Sequence, residues 1–295
     1  MKETKVLIMI GTGLCILAIT NGIYFCRDKK NQPNIWYVER GLENQWAMVL
    51  RETRPPESTN EIRSWDGDAI PDGKGILITT NHRQTREKAE AYYRLSYDLH
   101  YEGALVLAVD PWMVFRKYSD PELTADRVYS GGRDGTLLIP GKDPAAVRAW
   151  TARLDEKNPF ATNLFPDGAQ TYTWQDVFYR LMGSETTWVY APLSAIRRYP
   201  NFRKSILVAA PFPDPDTNAR SLQASLLWAV PLGSPEEQKK MGKAIAWLKK
   251  PQTQTVIADN LDWIPADPYG KPFDPISLTS HRNWLTAEYV YEVGE

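Results

Sequence analysis

Residues 226–267, LLWAVPLGSPEEQKKMGKAIAWLKKPQTQTVIADNLDWIPAD, decide the fold of this chain. They begin with the apolar run 226–230, which predicts a buried strand. Ser234 then supplies an N-cap, Pro235 occupies the first helical position, and Glu237 places an acid three residues after the cap. Because this pattern is typical of a helix start, the sequence predicts a strand followed directly by a helix that ends before the next proline.

Upstream of this stretch, strand and helix patterns alternate. Residues 75–80 are apolar without alternation, which predicts a strand buried on both faces. A helix over residues 85–100 and a strand over residues 104–109 are predicted to follow and to complete a βαβ unit. The other predicted strands are 35–38, 61–65, 187–190 and 205–210, and the other predicted helices are 42–52, 143–154, 173–182 and 194–198. The sequence therefore predicts an α/β fold with parallel strands.

An uncharged apolar run lies near the start of the chain. Residues 6–25, VLIMIGTGLCILAITNGIYF, have basic residues on both sides. At ~1.5 Å per helical residue, this run matches the ~30 Å core of a bilayer, which predicts a transmembrane signal anchor within residues 1–30. Two alternatives stay open. One is cleavage as a signal peptide among the small residues at 18–22, and the other is lipidation of Cys26, which the bulky residue before it disfavours.

Composition argues against several classes of function. Lys and Arg number 35, Asp and Glu number 36, and no basic cluster suited to nucleic acid is present. Both cysteines, Cys15 and Cys26, lie in or beside the apolar run, and the three histidines lack metal-ligand spacing. No nucleophile motif is present, and no strand leads into the Gly-rich turn at 130–135 as a phosphate loop requires. We expect no nucleic-acid partner, metal, cofactor or catalytic activity.

The order of elements resembles that of bacterial extracellular solute-binding proteins of ABC importers, the class II periplasmic binding proteins, particularly the sugar-binding group. Residues 226–267 resemble the closing part of that family, where Trp263-Ile264-Pro265 matches its W-I-P turn. Residues 105–118 (LVLAVDPWMVFRKY) are similar to its first hinge crossing, and residues 172–181 (YTWQDVFYRL) to its T-W-x-D helix start. The similarity spans most of residues 70–267, but the chain is shorter than most members of the family.

The resemblance implies a two-lobed α/β fold of the type II periplasmic-binding-protein kind, with a hinge and a preceding transmembrane helix. After the anchor at residues 1–30, it assigns residues 31–112 and 226–250 to the first lobe and residues 113–225 and 251–295 to the second. It implies that a sugar or oligosaccharide binds between the lobes for a partner ABC permease. The globular part is then extracytoplasmic, in the periplasm, and is tethered to the cell membrane.

Two other functions stay open at this point. The first is a membrane-anchored interaction or scaffold protein with a degenerate binding-protein fold, which the short chain and the unusual anchor favour. The second is an extracytoplasmic hydrolase on a similar frame, although no catalytic pair of carboxyl groups can be assigned from the sequence.

Candidate solute contacts come from predicted strand ends and from the aromatic content. The chain has 11 Trp and 15 Tyr residues, which suit a pyranose because its C–H face is apolar while its hydroxyls need polar partners. The predicted ligand-binding residues are Trp65, Asp66, Asn81, His82, Trp112, Tyr190 and Trp228. Each has a structural alternative: a surface turn for the first two, helix capping for the next two, and packing in the core for the aromatic residues.

Overall fold

The computed structural model describes residues 35–56, 61–67, 69–71, 74–80, 92–93, 100–101, 104–124, 127, 137–138, 172–198, 207–213 and 221–293. The predicted transmembrane segment and the predicted helix at 143–154 lie outside the described residues. Within the described ranges, no helix combines the length and the apolar character needed to cross a membrane.

Strands and helices alternate along the described part of the chain. The strands are β1 (Ile35–Glu39), β2 (Glu61–Trp65), β3 (Gly75–Thr79), β4 (Tyr92–Tyr93), β5 (His100–Tyr101), β6 (Ala104–Lys117), β7 (Leu137–Leu138), β8 (Trp188–Pro192), β9 (Leu207–Ala210), β10 (Ser221–Leu232), β11 (Ile264–Pro265) and β12 (Tyr289–Glu292). The helices are α1 (Glu43–Thr53), α2 (Trp174–Met182), α3 (Leu193–Arg197), α4 (Pro235–Lys240), α5 (Gly242–Leu248), α6 (Pro251–Leu261) and α7 (Pro275–Thr286).

The first sheet has the strand order β2-β1-β3-β10-β6. Strands β1, β2 and β3 are parallel, which confirms the parallel arrangement predicted from the apolar sequence of β3. Strand β10 runs antiparallel to both β3 and β6. The carboxyl ends of β1, β2 and β3 therefore lie together at one edge of the sheet.

Strand β6 is longer than predicted and belongs to two sheets. Its first part, up to Pro111, pairs with β10, whereas its second part, from Trp112 onwards, pairs with β8 and β9. Strand β7 joins the second sheet beside β8. The apolar sequence continues without interruption through the crossing, so β6 carries the chain from the first sheet into the second.

One hydrophobic core extends beneath both sheets. It contains Val109 from the first part of β6 and Phe115 from the second part, together with Trp228 of β10 and Trp284 of α7. Because side chains from both sheets share this core, the two halves of the molecule are joined by packing as well as by the crossing strands.

A second core covers the other face of the first sheet. Trp36 lies between Trp46 and Trp247, with its ring centroid 5.4 Å from the first and 5.8 Å from the second, so Trp247 packs in this core. Ile257 of α6 belongs to the same core. The predicted division of the chain placed α6 in the second lobe, whereas here it packs with α1 on the first sheet. The remaining lobe boundaries stay predictions.

Two local predictions differ from the structure. The helix predicted after Ser234 begins with the expected capping box, but it divides into α4 and α5 at Met241, whose φ of −83° and ψ of 2° leave the helical region. Residues 92–93 and 100 lie in the predicted helix at 85–100 but belong to the short strands β4 and β5, because these strands pair with β12 and β6. Tertiary pairing of tyrosine-rich segments overrides a weak helical pattern there.

Candidate functional site

Two strands end facing each other along one edge of β10. Strand β3 runs antiparallel to β10 and places its last residue, Thr79, opposite Trp228, whereas β12 runs parallel to β10 and places Glu292 opposite Ala224. Strand β6 pairs with β10 at both of these positions, so β3 and β12 share the other edge. The two positions on β10 are separated by about 14 Å, at ~3.4 Å per residue. We call the space between these two strand ends the strand-end gap.

A carboxylate organises the β3 side of the strand-end gap. The carboxylate of Glu39, at the end of β1, accepts hydrogen bonds from Thr79 Oγ1 at 2.7 Å, Thr80 N at 2.5 Å and Thr80 Oγ1 at 2.9 Å. These bonds hold the turn that follows β3. From this turn the chain continues to Asn81 and His82, two of the predicted ligand-binding residues, which lie outside the described residues.

The other side of the strand-end gap is formed by the end of β12. Glu292 Oε1 accepts a hydrogen bond from the indole Nε1 of Trp228 at 2.8 Å. The backbone N of Val293 donates to the carbonyl oxygen of Ala224 at 2.9 Å, and its side chain is half-buried against neighbouring aromatic rings. The end of β12 therefore contacts both the backbone and the tryptophan of β10.

An aromatic cluster lies on the second-sheet side of the crossing. Tyr190 is 5.5 Å from Trp112 and 5.1 Å from Phe212 between ring centroids, and Trp112 is 6.0 Å from Trp174. The Tyr190 hydroxyl donates to Gln223 Oε1 at 2.5 Å, which ties the cluster to β10. We call these four rings, together with Val114, Leu123, Leu137 and Trp188, the crossing cluster.

Three predicted ligand-binding residues therefore lie around one segment of β10. Trp112, Tyr190 and Trp228 expose only 2%, 0% and 1% of their surface, so protein atoms enclose their rings almost completely. A direct contact with a solute would require neighbouring side chains to move. In this conformation the three residues are packed in the protein interior, which agrees with the structural alternative of core packing.

Trp65 and Asp66 lie elsewhere. They end β2, three strands from β10, or about 14 Å at ~4.8 Å per strand. The indole Nε1 of Trp65 donates to the carbonyl oxygen of Ala69 at 2.6 Å, and Asp66 forms an exposed ion pair of 2.7 Å with Arg40. The ion pair joins the loop after β2 to the residue that follows β1, which places Asp66 in a surface turn. The side chain of Trp65, in contrast, is 6% exposed and belongs to a small core cluster with Tyr37 and Leu77.

Five residues at the strand-end gap and beside it were not predicted. They are Glu39, Thr79, Thr80, Gln223 and Glu292. The first three could have been found, because polar residues at the carboxyl ends of parallel strands are typical of ligand sites in α/β sheets. The other two carry no local signal, because their positions depend on the pairing of β10 with β12 and on the packing of β8.

The first-sheet edge is acidic. The carboxylate of Glu43, at the start of α1, accepts hydrogen bonds from Ser64 Oγ at 2.6 Å and Gly41 N at 2.7 Å. The hydrogen bond from Ser64 is the main cause of the lowered pKa of Glu43. Because Arg40 pairs with Asp66, the described side chains at the carboxyl ends of β1, β2 and β3 present mainly carboxylates and hydroxyls.

A buried carboxyl group lies at the crossing itself. Asp110 is 5% exposed and accepts hydrogen bonds from Ser194 N at 3.0 Å and Ser194 Oγ at 2.6 Å. Burial raises the pKa of Asp110 to about 6, although the bonds from Ser194 act in the opposite direction. The pair attaches the start of α3 to β6. Among the described residues, no group of three or more His, Cys, Asp or Glu side chains is arranged to hold a metal ion.

Comparison with known proteins establishes the fold. No protein-family model matches the sequence, and no curated protein matches it. The bacterial solute receptor AcbH, which has an exclusive substrate preference for β-D-galactopyranose, matches with a TM-score of 0.58 at 12% identity, over 88% of this chain and 87% of AcbH. Ferric iron-binding protein A from Mannheimia haemolytica, in an open conformation, matches with a TM-score of 0.55 at 11% identity, over 86% of this chain and 95% of that protein.

An enzyme has a similar structure. Thiaminase I from Bacillus thiaminolyticus matches with a TM-score of 0.60 at 12% identity, over 89% of this chain and 95% of the enzyme. The chain therefore has the type II periplasmic-binding-protein fold that the resemblance implied. At these identities the likeness defines the fold, and the function must be argued from the site.

Proposed function

We propose that this chain is an extracytoplasmic solute-binding protein that captures a sugar or oligosaccharide between its lobes for a partner ABC permease. The observation that carries this proposal is the strand-end gap, where polar groups from two strand ends border one space beside the crossing between the two sheets. Clefts at such crossings are where proteins of this architecture bind ligands and close on them.

The chemistry of the strand-end gap suits a neutral, hydroxyl-rich solute. Glu39 and Glu292 supply carboxylate acceptors, and Thr79 and Thr80 supply hydroxyls. Hydrogen bonds from sugar hydroxyls to carboxylates are charge-assisted and stronger than neutral ones. The crossing cluster lies beside these groups and would offer an apolar surface if the lobes parted.

A second candidate function is favoured by burial. Because the rings of Trp112, Tyr190 and Trp228 are enclosed, the part of the proposed cleft that these residues would line is filled by protein atoms in this conformation. A filled cleft suits an interaction or scaffold protein that keeps the binding-protein fold without binding a solute.

We also propose that the chain is tethered to the membrane and has no catalytic activity. Residues 6–25 would anchor the chain with its globular part outside the cytoplasm. Protease added to intact spheroplasts should then digest the globular part, whereas a globular part in the cytoplasm would stay protected.

Thermal unfolding of the full chain in detergent tests the solute-binding role. The panel contains sugars, oligosaccharides, amino acids and polyols. A ligand at ~100 times its dissociation constant should stabilise the folded protein by about 2.7 kcal/mol and raise the midpoint. A raised midpoint with one chemical class of compound would identify the class of solute. An unchanged midpoint with every compound, together with capture of a protein partner by crosslinking, would support the scaffold function instead.

A site variant sharpens this test. Glu39→Gln removes the charged acceptor at the strand-end gap and should weaken binding of the responding solute about tenfold. Glu236→Gln, at an exposed position on α4, serves as the control and should leave binding unchanged. Equal binding in the two variants would show that the solute binds elsewhere.

A further inference from the structure

We propose that the end of β12, which borders the strand-end gap, is displaceable, and that a solute bound at the gap takes the place of Glu292 and Val293. This inference rests on the proposed solute-binding function. Its starting point is that the chain's own C-terminal strand already makes the contacts that a ligand at the gap would make: Glu292 with the Trp228 indole, and Val293 with the crossing cluster.

The strand divides into a buried part and a partly exposed end. Val290 is fully buried in the core shared by both sheets and is paired with Leu222. Glu292 and Val293 are only half-buried. The end can therefore leave β10 while Val290 stays in place, since segments with few buried contacts open without global unfolding.

The contacts made by the end of β12 define the chemical groups that a displacing ligand must supply. Glu292 supplies an oxygen acceptor to the Trp228 indole N–H, and Val293 supplies an aliphatic surface to the crossing cluster. A displacing ligand needs one acceptor oxygen beside an apolar face. A neutral pyranose has both, because its hydroxyl oxygens lie next to its C–H face. The pairing of β12 with residues 221–224 also shows that this edge of β10, next to the gap, accepts an extended backbone.

Displacement has a thermodynamic consequence. If solute binds only when the end of β12 has left, the apparent affinity falls by the fraction of molecules in that state. A change that weakens docking of the end must then raise the affinity. Removing a hydrogen bond to a charged group should increase the undocked fraction, and therefore the affinity, about tenfold.

The experiment compares the full-length wild type with Glu292→Ala, Val293→Ala and the control Glu288→Ala, an exposed acid on the same segment. The probes are D-galactose, maltose and raffinose. We expect Glu292→Ala and Val293→Ala to bind the responding sugar more tightly, with the former gaining about tenfold, and Glu288→Ala to match the wild type. Equal or weaker binding in both variants overturns the inference, because the end would then support the site instead of occupying it.

Amide exchange of Val293, measured by NMR, separates the inference from the proposed function. A docked but displaceable end should exchange at least about 100-fold faster than Val109 in the shared core, and faster still when a binding sugar is added. If none of the sugars binds any variant, the proposed sugar-binding function is wrong. The inference is still supported in that case if the amide of Val293 exchanges fast and exchanges faster still in Glu292→Ala. Exchange of Val293 at the rate of Val109 overturns it.

Discussion

At the scale of single residues, two buried charges attach α3 to the rest of the molecule. Asp110 holds its start through both hydrogen bonds to Ser194. Arg197, at its end, donates to the carbonyl oxygen of Trp263 at 2.9 Å and lies 3.2 Å from Asp259 and 3.6 Å from Asp274. The W-I-P turn thus receives a hydrogen bond from α3, which follows β8 of the second sheet.

Asp110→Asn should flatten the pH dependence of stability. The pKa of Asp110 is 3.8 in the unfolded chain and about 6 when folded, so the folded state binds more protons between these values. The free energy of unfolding therefore falls as the pH rises from 3.8 to 6, by up to about 3 kcal/mol. Asn keeps the hydrogen-bonding shape without titrating.

Urea unfolding at pH 4, 5, 6 and 7 measures this effect. The stability of Asp110→Asn relative to the wild type should increase across this range and level off above pH 6. Parallel stability profiles for the two proteins would show that burial does not shift this carboxyl group.

Arg197→Ala should destabilise the protein by about 3 kcal/mol. Its side chain is 5% exposed, and its loss leaves the equally buried carboxylate of Asp274 without this cation. The control is Arg180→Ala, which removes a pair with Glu185 whose side chains are 37% and 59% exposed and should cost less than about 1 kcal/mol. Chemical denaturation gives both values, and equal losses would contradict the role of Arg197.

At the scale of elements, close approach between β1 and β3 depends on a glycine. A Cβ atom on Gly75 would lie 2.4 Å from the carbonyl oxygen of Ile35 and 3.0 Å from the ring of Tyr37. The carbonyl oxygen of Ile35 belongs to the backbone and cannot move aside as a flexible side chain can. Because glycine has no Cβ, Gly75 allows β1 and β3 to begin side by side. This places their carboxyl ends, Glu39 and Thr79, next to each other.

Gly75→Ala should destabilise the protein by about 2 kcal/mol through this clash. Gly242→Ala is the matched control, because a Cβ there meets no atom within 4 Å and Ala favours the helix α5. The control should be neutral or stabilised by up to about 1 kcal/mol. Unfolding midpoints in urea distinguish the two variants, and a neutral Gly75→Ala would show that β1 and β3 can separate at no cost.

At the scale of the whole molecule, the shared core joins the two sheets. Val109 and Met113 of β6 lie on either side of the crossing and belong to the same cluster as Ile264 and Trp284, which follow β10 in the chain. Each half therefore completes the core of the other. Movement of the lobes must bend the crossing strands without separating this core.

We expect the globular part to unfold in one cooperative transition. A core shared by both sheets means that losing one sheet exposes the apolar surface of the other. Differential scanning calorimetry should give equal calorimetric and van't Hoff enthalpies. Two resolved transitions, or a van't Hoff enthalpy near half the calorimetric value, would show that the lobes unfold separately.

Much of the fold was predictable because its signals are local. The parallel strand β3, the capping box at Ser234 and the capped helix α2 each follow from residues within a few positions of one another. The resemblance implied a crossing between the lobes at residues 105–118, but the continuation of β6 as one strand into the second sheet was not predicted, because an apolar run does not indicate where one partner strand replaces another. The site was predicted only in part: three aromatic residues do gather at β10, but their burial depends on neighbours distant in sequence.

The sequence by itself determined the α/β class, the parallel strands, the strand-to-helix unit at residues 226–250 and the apolar run at residues 6–25, because periodicity and capping act over a few residues. Only the tertiary structure decided that β12 pairs with β10 and that the side chain of Glu292 reaches Trp228. Backbone hydrogen bonds between strands carry no sequence code, so a pairing between residues far apart in the chain appears only when the shared core brings both strands together.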